Sequence, residues 1–378
     1  MDIAIAGAGI AGLTAASLLA RAGHAVSVFD QLPAPAPVGS GLIVQPVGQA
    51  VLAAMDLLDK VLMRGAPLRR LHALSAAGRT VLNVRYGALG PETFGIGIHR
   101  AALFDVLFEA AKARGARFHQ GCEIIDIETS GGGLALKFAD GETSPKFDLV
   151  VDALGVRSPL IQRDGANLTF GALWTNIPMP DDRAFPPDEL TQRYRGADCS
   201  AGVMPIGEGQ AAMFWTLRQD GYERWRARGL DAWKSDVEHL WPEARICLDY
   251  IDDQDQLIFA RYAHDTIAAP VEGRLVHIGD AWHAASPQLG QGANMALLDA
   301  HALAQAFAQD DDIERALGDF LKRRARHVKL YQAISWAFTP VYQSESTLLP
   351  YLRDLLVGPV SATPWAAKFL AMLVSGKL

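Results

Sequence analysis

Two stretches of the chain bring small residues and backbone donors together where phosphate and hydroxyl groups are bound. In DIAIAGAGIAGLTAASLLARAG, a short apolar run is followed by Gly7, Ala8, Gly9 and Gly12 and then by a helical pattern. Glycines at this spacing let phosphate oxygens approach the N–H groups of a helix start, and Asp30, at the tip of the next apolar run, offers a carboxylate to a ribose diol. In RLVHIGDAWHAASPQLGQGANMALLDA, Gly279-Asp280 ends an apolar run, and Pro287, Leu289, Gly290, Gln291 and Gly292 crowd ahead of a helix beginning near Asn294. That loop aims backbone donors and a helix N-terminus at a polar ligand, with Asp280 placed to hold a polyol hydroxyl.

Both groups of residues depend on the elements that carry them. Ile3 to Ala6 reads as a strand, Leu13, Ala16, Leu19 and Ala20 as a helix ending near Gly23, and Ala25 to Phe29 as a second strand. This βαβ opening, with its glycines at the first strand-to-helix turn, is a dinucleotide site, and by itself does not separate NAD from FAD. QLPAPAPVGSG reads as a loop, because proline lacks a backbone donor. Helices are predicted at 47–63 and 99–114, with a strand hairpin turning at Ala77-Gly78 between them. Further strands lead to a buried one from Phe147 to Ala153, and residues 161–262 mix β-like runs with a helical stretch near 221–240. Long helices are predicted at 292–308 and 313–338, followed by proline-broken helical pieces. The last of these, near 365–374, is read as covering a core rather than touching a membrane.

The chain has 378 residues, enough for about two domains, and its net charge of −7 argues against a partner recognised through phosphate neutralisation, so no nucleic acid is expected. Three scattered cysteines, Cys122, Cys199 and Cys247, supply neither a disulfide framework nor a metal site, which favours the reducing cytoplasm. No apolar run is long enough to span a membrane. A secretion signal is not expected either, since Asp2 precedes the first apolar run and the first cation, Arg21, follows it.

The motifs together resemble the flavin-dependent aromatic hydroxylases, the single-component FAD monooxygenases related to para-hydroxybenzoate hydroxylase. The resemblance covers most of the chain and rests on Gly7-x-Gly9-x-x-Gly12 with Asp30, on Arg100 in HRAALFDVL, on VVDALGVRS, and above all on GDAWHAASPQLGQGANMALLDA. It implies an α/β fold: a Rossmann-like FAD-binding domain of the GR2 type, an inserted β-sheet substrate domain and a C-terminal helical segment. The FAD-binding domain would be discontinuous, over 1–72, 95–160 and 262–330, with 73–94 and 161–261 forming the substrate domain and 331–378 the helical segment. FAD, reduced by NADPH or NADH, would activate O2 as a flavin C4a-hydroperoxide that hydroxylates a small aromatic or similarly electron-rich molecule.

Carried over by position, Gly7, Ala8, Gly9 and Gly12 would meet the FAD pyrophosphate, Asp30 the adenosine ribose and Arg100 the cofactor backbone. Gly39, Ser40 and Gly41, with Leu42 to Gln45, would pass beside the flavin ring. Asp280 would bind the ribityl chain, and Pro287 with Leu289 to Gly292, continuing into Ala293 and Asn294, would flank the isoalloxazine. One motif departs from the family: Leu154 stands where an Asp linked to FAD and nicotinamide use is usual, although Gly155, Arg157 and Ser158 remain. That departure gives weight to an alternative, a flavin reductase or dehydrogenase acting on an alkene or quinone; a non-catalytic flavin-binding protein is a further one. Trp282 either packs beneath its loop or lines the pocket, and His283 reads as an orienting residue, so no catalytic side chain is assigned. Trp174, Tyr194, Met204, Phe214 and Trp215 are candidate pocket walls, and Arg193 and Arg195 candidate partners for a substrate carboxylate. No metal site is expected.

Overall fold

The structure, a computed structural model, describes residues 1–33, 40–161 and 167–378. Gly39 therefore lies outside the described residues. The chain runs β1 (Asp2–Ala6), α1 (Ile10–Arg21), β2 (Ala25–Asp30), β3 (Gly41–Val44), α2 (Pro46–Ala54) and α3 (Leu58–Arg64). It continues with β4 (Ala66–Leu68), β5 (Arg70–Ser75), β6 (Thr80–Arg85), β7 (Gly95–His99), α4 (Arg100–Ala113), β8 (Arg117–Gln120), β9 (Ile124–Ser130), β10 (Gly133–Phe138) and β11 (Leu149–Asp152). A six-stranded sheet in the order β18-β19-β11-β1-β2-β8 forms the first layer, with β18 (Val271–Glu272) and β19 (Leu275–His277) arriving from far along the chain. All its pairs are parallel except β18 with β19, and the near-continuous apolar runs of β1 and β11 are buried, as strands covered on both faces require. On one face α1 packs against α4 and α9 (Gly292–Phe307); on the other the β9–β10 hairpin sets Phe138 against Phe29 at 5.6 Å.

The second large sheet is mostly antiparallel, in the order β16-β12-β15-β14-β13-β5-β6. Its remaining strands are β12 (Asn167–Pro178), β13 (Glu189–Arg195), β14 (Cys199–Gly207), β15 (Gln210–Arg218) and β16 (Ile258–Ala263). Helices α5 (Tyr222–Arg228), α6 (Leu230–Leu240) and α7 (Arg245–Leu248) cover one face through a core rich in tryptophan. The other face is turned to the first layer across a small sheet, β3-β7-β4. Contact there is close: a Cβ on Gly97 of β7 would lie 2.1 Å from the Pro205 carbonyl oxygen of β14.

Three helical boundaries differ from expectation. The 47–63 segment divides into α2 and α3 at Asp56, whose φ of +62° no continuous helix admits, and 221–240 divides at Gly229, with φ +82°. The helix predicted to end at 338 runs on as α10 (Ile313–Tyr342), with Pro340 so near its end that the one intrahelical bond its missing donor removes leaves the preceding turns intact. Beyond it, α11 (Leu348–Ser361) and α12 (Pro364–Ser375) meet at 110°. Between the sheets and α9 lie β17 (Asp265–Thr266) and α8 (Asp280–His283).

Candidate active site

The glycine turn is built by steric necessity. A Cβ on Gly12 would sit 1.9 Å from the Gly7 carbonyl oxygen, and one on Gly7, whose φ is +101°, would sit 2.6 Å from that of Ala153. A Cβ on Gly9, by contrast, would meet nothing within 4 Å. That opening lies at the start of α1, a helix with no side-chain cap and no acid in its first turn, which suits it to an anionic pyrophosphate. Asp30 ends β2 as expected, and its carboxylate accepts from the Ala8 N–H at 2.8 Å and the Leu32 N–H at 2.9 Å. The acid thus fastens the turn to the strand tip.

The second loop shows the same design. Gly279, with φ +59°, turns β19 into α8, and Gly290, in the left-handed region at φ +60°, turns the chain into α9, which also lacks a side-chain cap. Asn294 spends its amide internally: its Oδ1 accepts from the Gln45 N–H at 2.8 Å, and its Nδ2 donates to the carbonyls of Ile43 and Gly290, each at 3.0 Å. It clamps β3 to the loop. Gln291 donates to the Val374 carbonyl of α12 at 2.6 Å. Gln45 accepts from the Tyr86 hydroxyl at 2.6 Å, while its buried Nε2 has no partner within the protein, an orphaned donor on the cavity wall where the cofactor is expected.

Beneath this loop runs a buried ionic network. Asp299 accepts from the Gly279 N–H at 2.9 Å, bonds His283 at 2.6 Å and accepts from Arg324 Nε at 2.7 Å. Burial pushes its carboxyl up, but His283 and Arg324 outweigh that and hold it at about 2. His283 is thus buried and held by Asp299, and Trp282 packs beneath the loop against Phe320, at 5.7 Å, rather than lining the pocket. Arg324 escaped sequence reading, although it falls in register with the buried stripe Leu317, Phe320, Val328 and Tyr331 of α10, where a cation must have a partner.

Leu154 is half-buried against the β9–β10 side of the sheet and supplies no acceptor. The nearby acid, Asp152, does not replace one: it is wholly buried, accepts from Ser158 Oγ at 2.6 Å and the Leu154 N–H at 3.0 Å, and bonds His277 at 2.7 Å. Gly155, with φ +79°, forms the turn that follows. Arg100 starts α4, where its N–H donates to the Ser40 carbonyl at 3.0 Å, and its side chain is exposed.

A cavity of about 310 Å³ joins the two halves. One side consists of Gly41 to Ile43, Gln45, Asp280 and Pro287 to Ala293; the other is the second sheet, with Trp174, Tyr194, Met204 and Phe214. Trp174 and Phe214 are register partners on β12 and β15, their rings 5.0 Å apart. Trp215 is a correction. As the neighbour of Phe214 it must point to the opposite face, where it packs edge-on against Trp233 at 6.5 Å. Alternation likewise separates Arg193 from the cavity: it lies 3.6 Å from Glu243 and over the Trp241 ring, while Arg195 pairs with Asp198 at 2.9 Å. The cavity wall also includes residues the sequence did not reveal: Tyr262, Phe338 and Tyr342, and Leu370, Leu373 and Val374 of α12. The Tyr262 hydroxyl accepts from Trp174 Nε1 at 3.0 Å, and burial pushes it up to about 12.

The cradle at Gly9, the two uncapped helix starts and the orphaned amide of Gln45 all fit a dinucleotide carrying a flavin. The chain belongs to the FAD binding domain family, which its residues 1–312 match. Among its relatives, the aurachin C monooxygenase/isomerase of Stigmatella aurantiaca is 26% identical over 377 residues, covering 96% of this chain and 95% of that protein. The 2-heptyl-3-hydroxy-4(1H)-quinolone synthase of Pseudomonas aeruginosa is 26% identical over 94% of both. The fold matches that of Klebsiella pneumoniae HpxO complexed with FAD and uric acid, with a TM-score of 0.84, 20% identity and coverage of 99% of this chain and 97% of that one. The chain is an FAD-dependent oxidoreductase of the flavoprotein monooxygenase class.

Proposed function

We propose that the enzyme hydroxylates a neutral, largely apolar aromatic molecule, with NADPH or NADH as reductant, in the cytoplasm. The observation that carries this reading is the lining of the cavity: among the described residues it contains no Lys, Arg, His or Glu, and one carboxylate, Asp280, on the cofactor side. A carboxylated substrate would be left there without a cation, at a large desolvation cost. Gln192, Tyr194, Ser200 and Thr216, on three adjoining strands, form a compact neutral patch suited to one carbonyl, amide or hydroxyl of the substrate. Burial pushes the Tyr194 and Tyr262 hydroxyls up, so both stay protonated at neutral pH, and the ring must be activated by its own substituents. The name of one relative, the 2-heptyl-3-hydroxy-4(1H)-quinolone synthase of Pseudomonas aeruginosa, supports this class.

In this reading 1–72, 95–160 and 262–330 hold the cofactor, 73–94 and 161–261 the substrate, and 331–378 closes the cavity. Gly7, Ala8, Gly9 and Gly12 would hold the FAD pyrophosphate, and Asp30, Arg100 and Gly155 would stand along the adenosine half. Asp280 would meet the ribityl chain, and Gly41, Pro287, Leu289 to Gly292 and Ala293 the ring. FAD supplies the redox chemistry and oxygen activation when bound. The protein aims backbone donors from the 289–292 loop at the flavin's developing charge, holds the substrate against the aromatic sheet, and excludes water beneath α12. The test is product analysis under ¹⁸O2 with matched neutral and carboxylated aromatics. Label in the product of neutral compounds alone is expected; reduction of the compound without label would transfer support to the reductase alternative.

A further inference from the structure

Helix α11 is amphipathic in the reverse of the usual sense. Leu348, Tyr351, Leu352, Leu355, Leu356 and Val360 point outward, each between 40% and 63% exposed. The polar residue turns inward: Arg353, 4% exposed, donates to the carbonyls of Gly196 and Val341 and pairs with Asp354. Across the 110° bend the apolar surface continues through Trp365 and Phe369 of α12, 73% and 47% exposed. Exposed apolar side chains gathered on one helix face mark a contact surface.

Charge identifies the partner. Residues 322–378 carry eight Lys or Arg and two Asp or Glu, a net +6 in a chain whose total is −7; Arg324 and Arg353 are buried in ion pairs with Asp299 and Asp354, which leaves six cations towards solvent. Lys322, Arg326, Lys329, Lys368 and Lys377 are all exposed, and on α10 the outer face passes directly from Lys329 to Leu330 and Trp336. Apolar and interfacial aromatic side chains rimmed by cations, on an otherwise acidic molecule, match an anionic lipid surface. A second copy of the chain would set two cationic rims against each other.

We propose that α11 and α12 dock flat onto an anionic bilayer, with their apolar face in the headgroup boundary. No single helix among the described residues is long and apolar enough to cross a membrane, and although α11 and α12 together reach that length across their 110° bend, their inner faces are packed on the protein through Arg353, Leu373 and Val374, so the proposed attachment is to one leaflet. The opposite face of α12 supplies Leu370, Leu373 and Val374 to the cavity wall, so docking places the substrate chamber one helix away from lipid. Docking itself does not depend on the substrate class proposed above.

The test is flotation of the FAD-loaded enzyme with vesicles of phosphatidylcholine, alone or mixed with phosphatidylglycerol. Binding to the mixed vesicles, weakened by salt, is expected, with little binding to phosphatidylcholine alone. A variant combining Leu352→Glu, Leu355→Glu and Leu356→Glu should remain in the dense fraction while keeping its flavin absorbance and melting temperature. Lys329→Gln and Lys368→Gln should each lower partitioning about fivefold. The proposal is overturned if the wild type binds neither vesicle, if it binds both equally, or if the triple variant floats as the wild type does. A dimer that the triple substitution dissolves, with no flotation, would overturn it in favour of a second copy.

Discussion

At Gly12 the sequence requirement reduces to a single distance, since an added methyl would lie 1.9 Å from a backbone oxygen that cannot move without opening the turn. Gly12→Ala should cost about 1–3 kcal/mol in overpacking and yield largely colourless protein, read from flavin absorbance after purification with added FAD. Asp299 carries a different kind of constraint. Its carboxyl, ordinarily near 3.8, is held at about 2 by His283 and Arg324, so the unfolded chain binds that proton more tightly. The stabilisation is fully present above about pH 4 and is lost as the pH falls towards 2. Asp299→Asn should remove this part of the acid-unfolding profile and, by leaving Arg324 buried without its counter-charge, cost about 3–5 kcal/mol in denaturant melts. In the cavity, Gln192→Leu should raise KM for a neutral substrate by up to about tenfold, with kcat little changed, the signature of one lost hydrogen bond in uniform binding, whereas the Thr216 hydroxyl is already held by the Ser200 N–H at 2.7 Å.

At the scale of an element, β15 shows how a strand divides labour. Phe214 and Trp215 are neighbours, yet one faces the cavity and the other the tryptophan core beneath α5 to α7. Trp215→Ala should therefore cost about 3–5 kcal/mol in stability and leave KM nearly unaltered. Phe214→Ala should lower kcat/KM with a smaller loss of stability; thermal melts and steady-state kinetics on the pair would expose any exchange of these roles. Residue type and hydropathy made both residues plausible pocket walls in the sequence. Only the strand's register, fixed by Trp174 opposite Phe214, decides which one faces the substrate. The same alternation turned the candidates Arg193 and Arg195 away from the cavity, onto Glu243 and Asp198.

Across the whole molecule, the cofactor loop and the tail are one assembly. Gln291 donates to Val374 at the end of α12, while Arg324 links Asp299, under the loop, to His327, which in turn bonds the Gly376 carbonyl at 3.0 Å. FAD binding should raise hydrogen-exchange protection of α12 amides, and Gln291→Leu should reduce that gain, since leaving a buried carbonyl unpaired costs about 1–3 kcal/mol. The sequence by itself determined what local geometry dictates: the strand, glycine turn and helix at 7–30, the loop at 279–294 and the FAD chemistry they imply, because a turn's conformation depends on residues adjacent in the chain. The substrate chamber was decided by tertiary structure. Its walls come from strands more than a hundred residues apart and from a terminal helix whose two apolar faces look alike in sequence, and only packing assigns one to the cavity and the other to the surface.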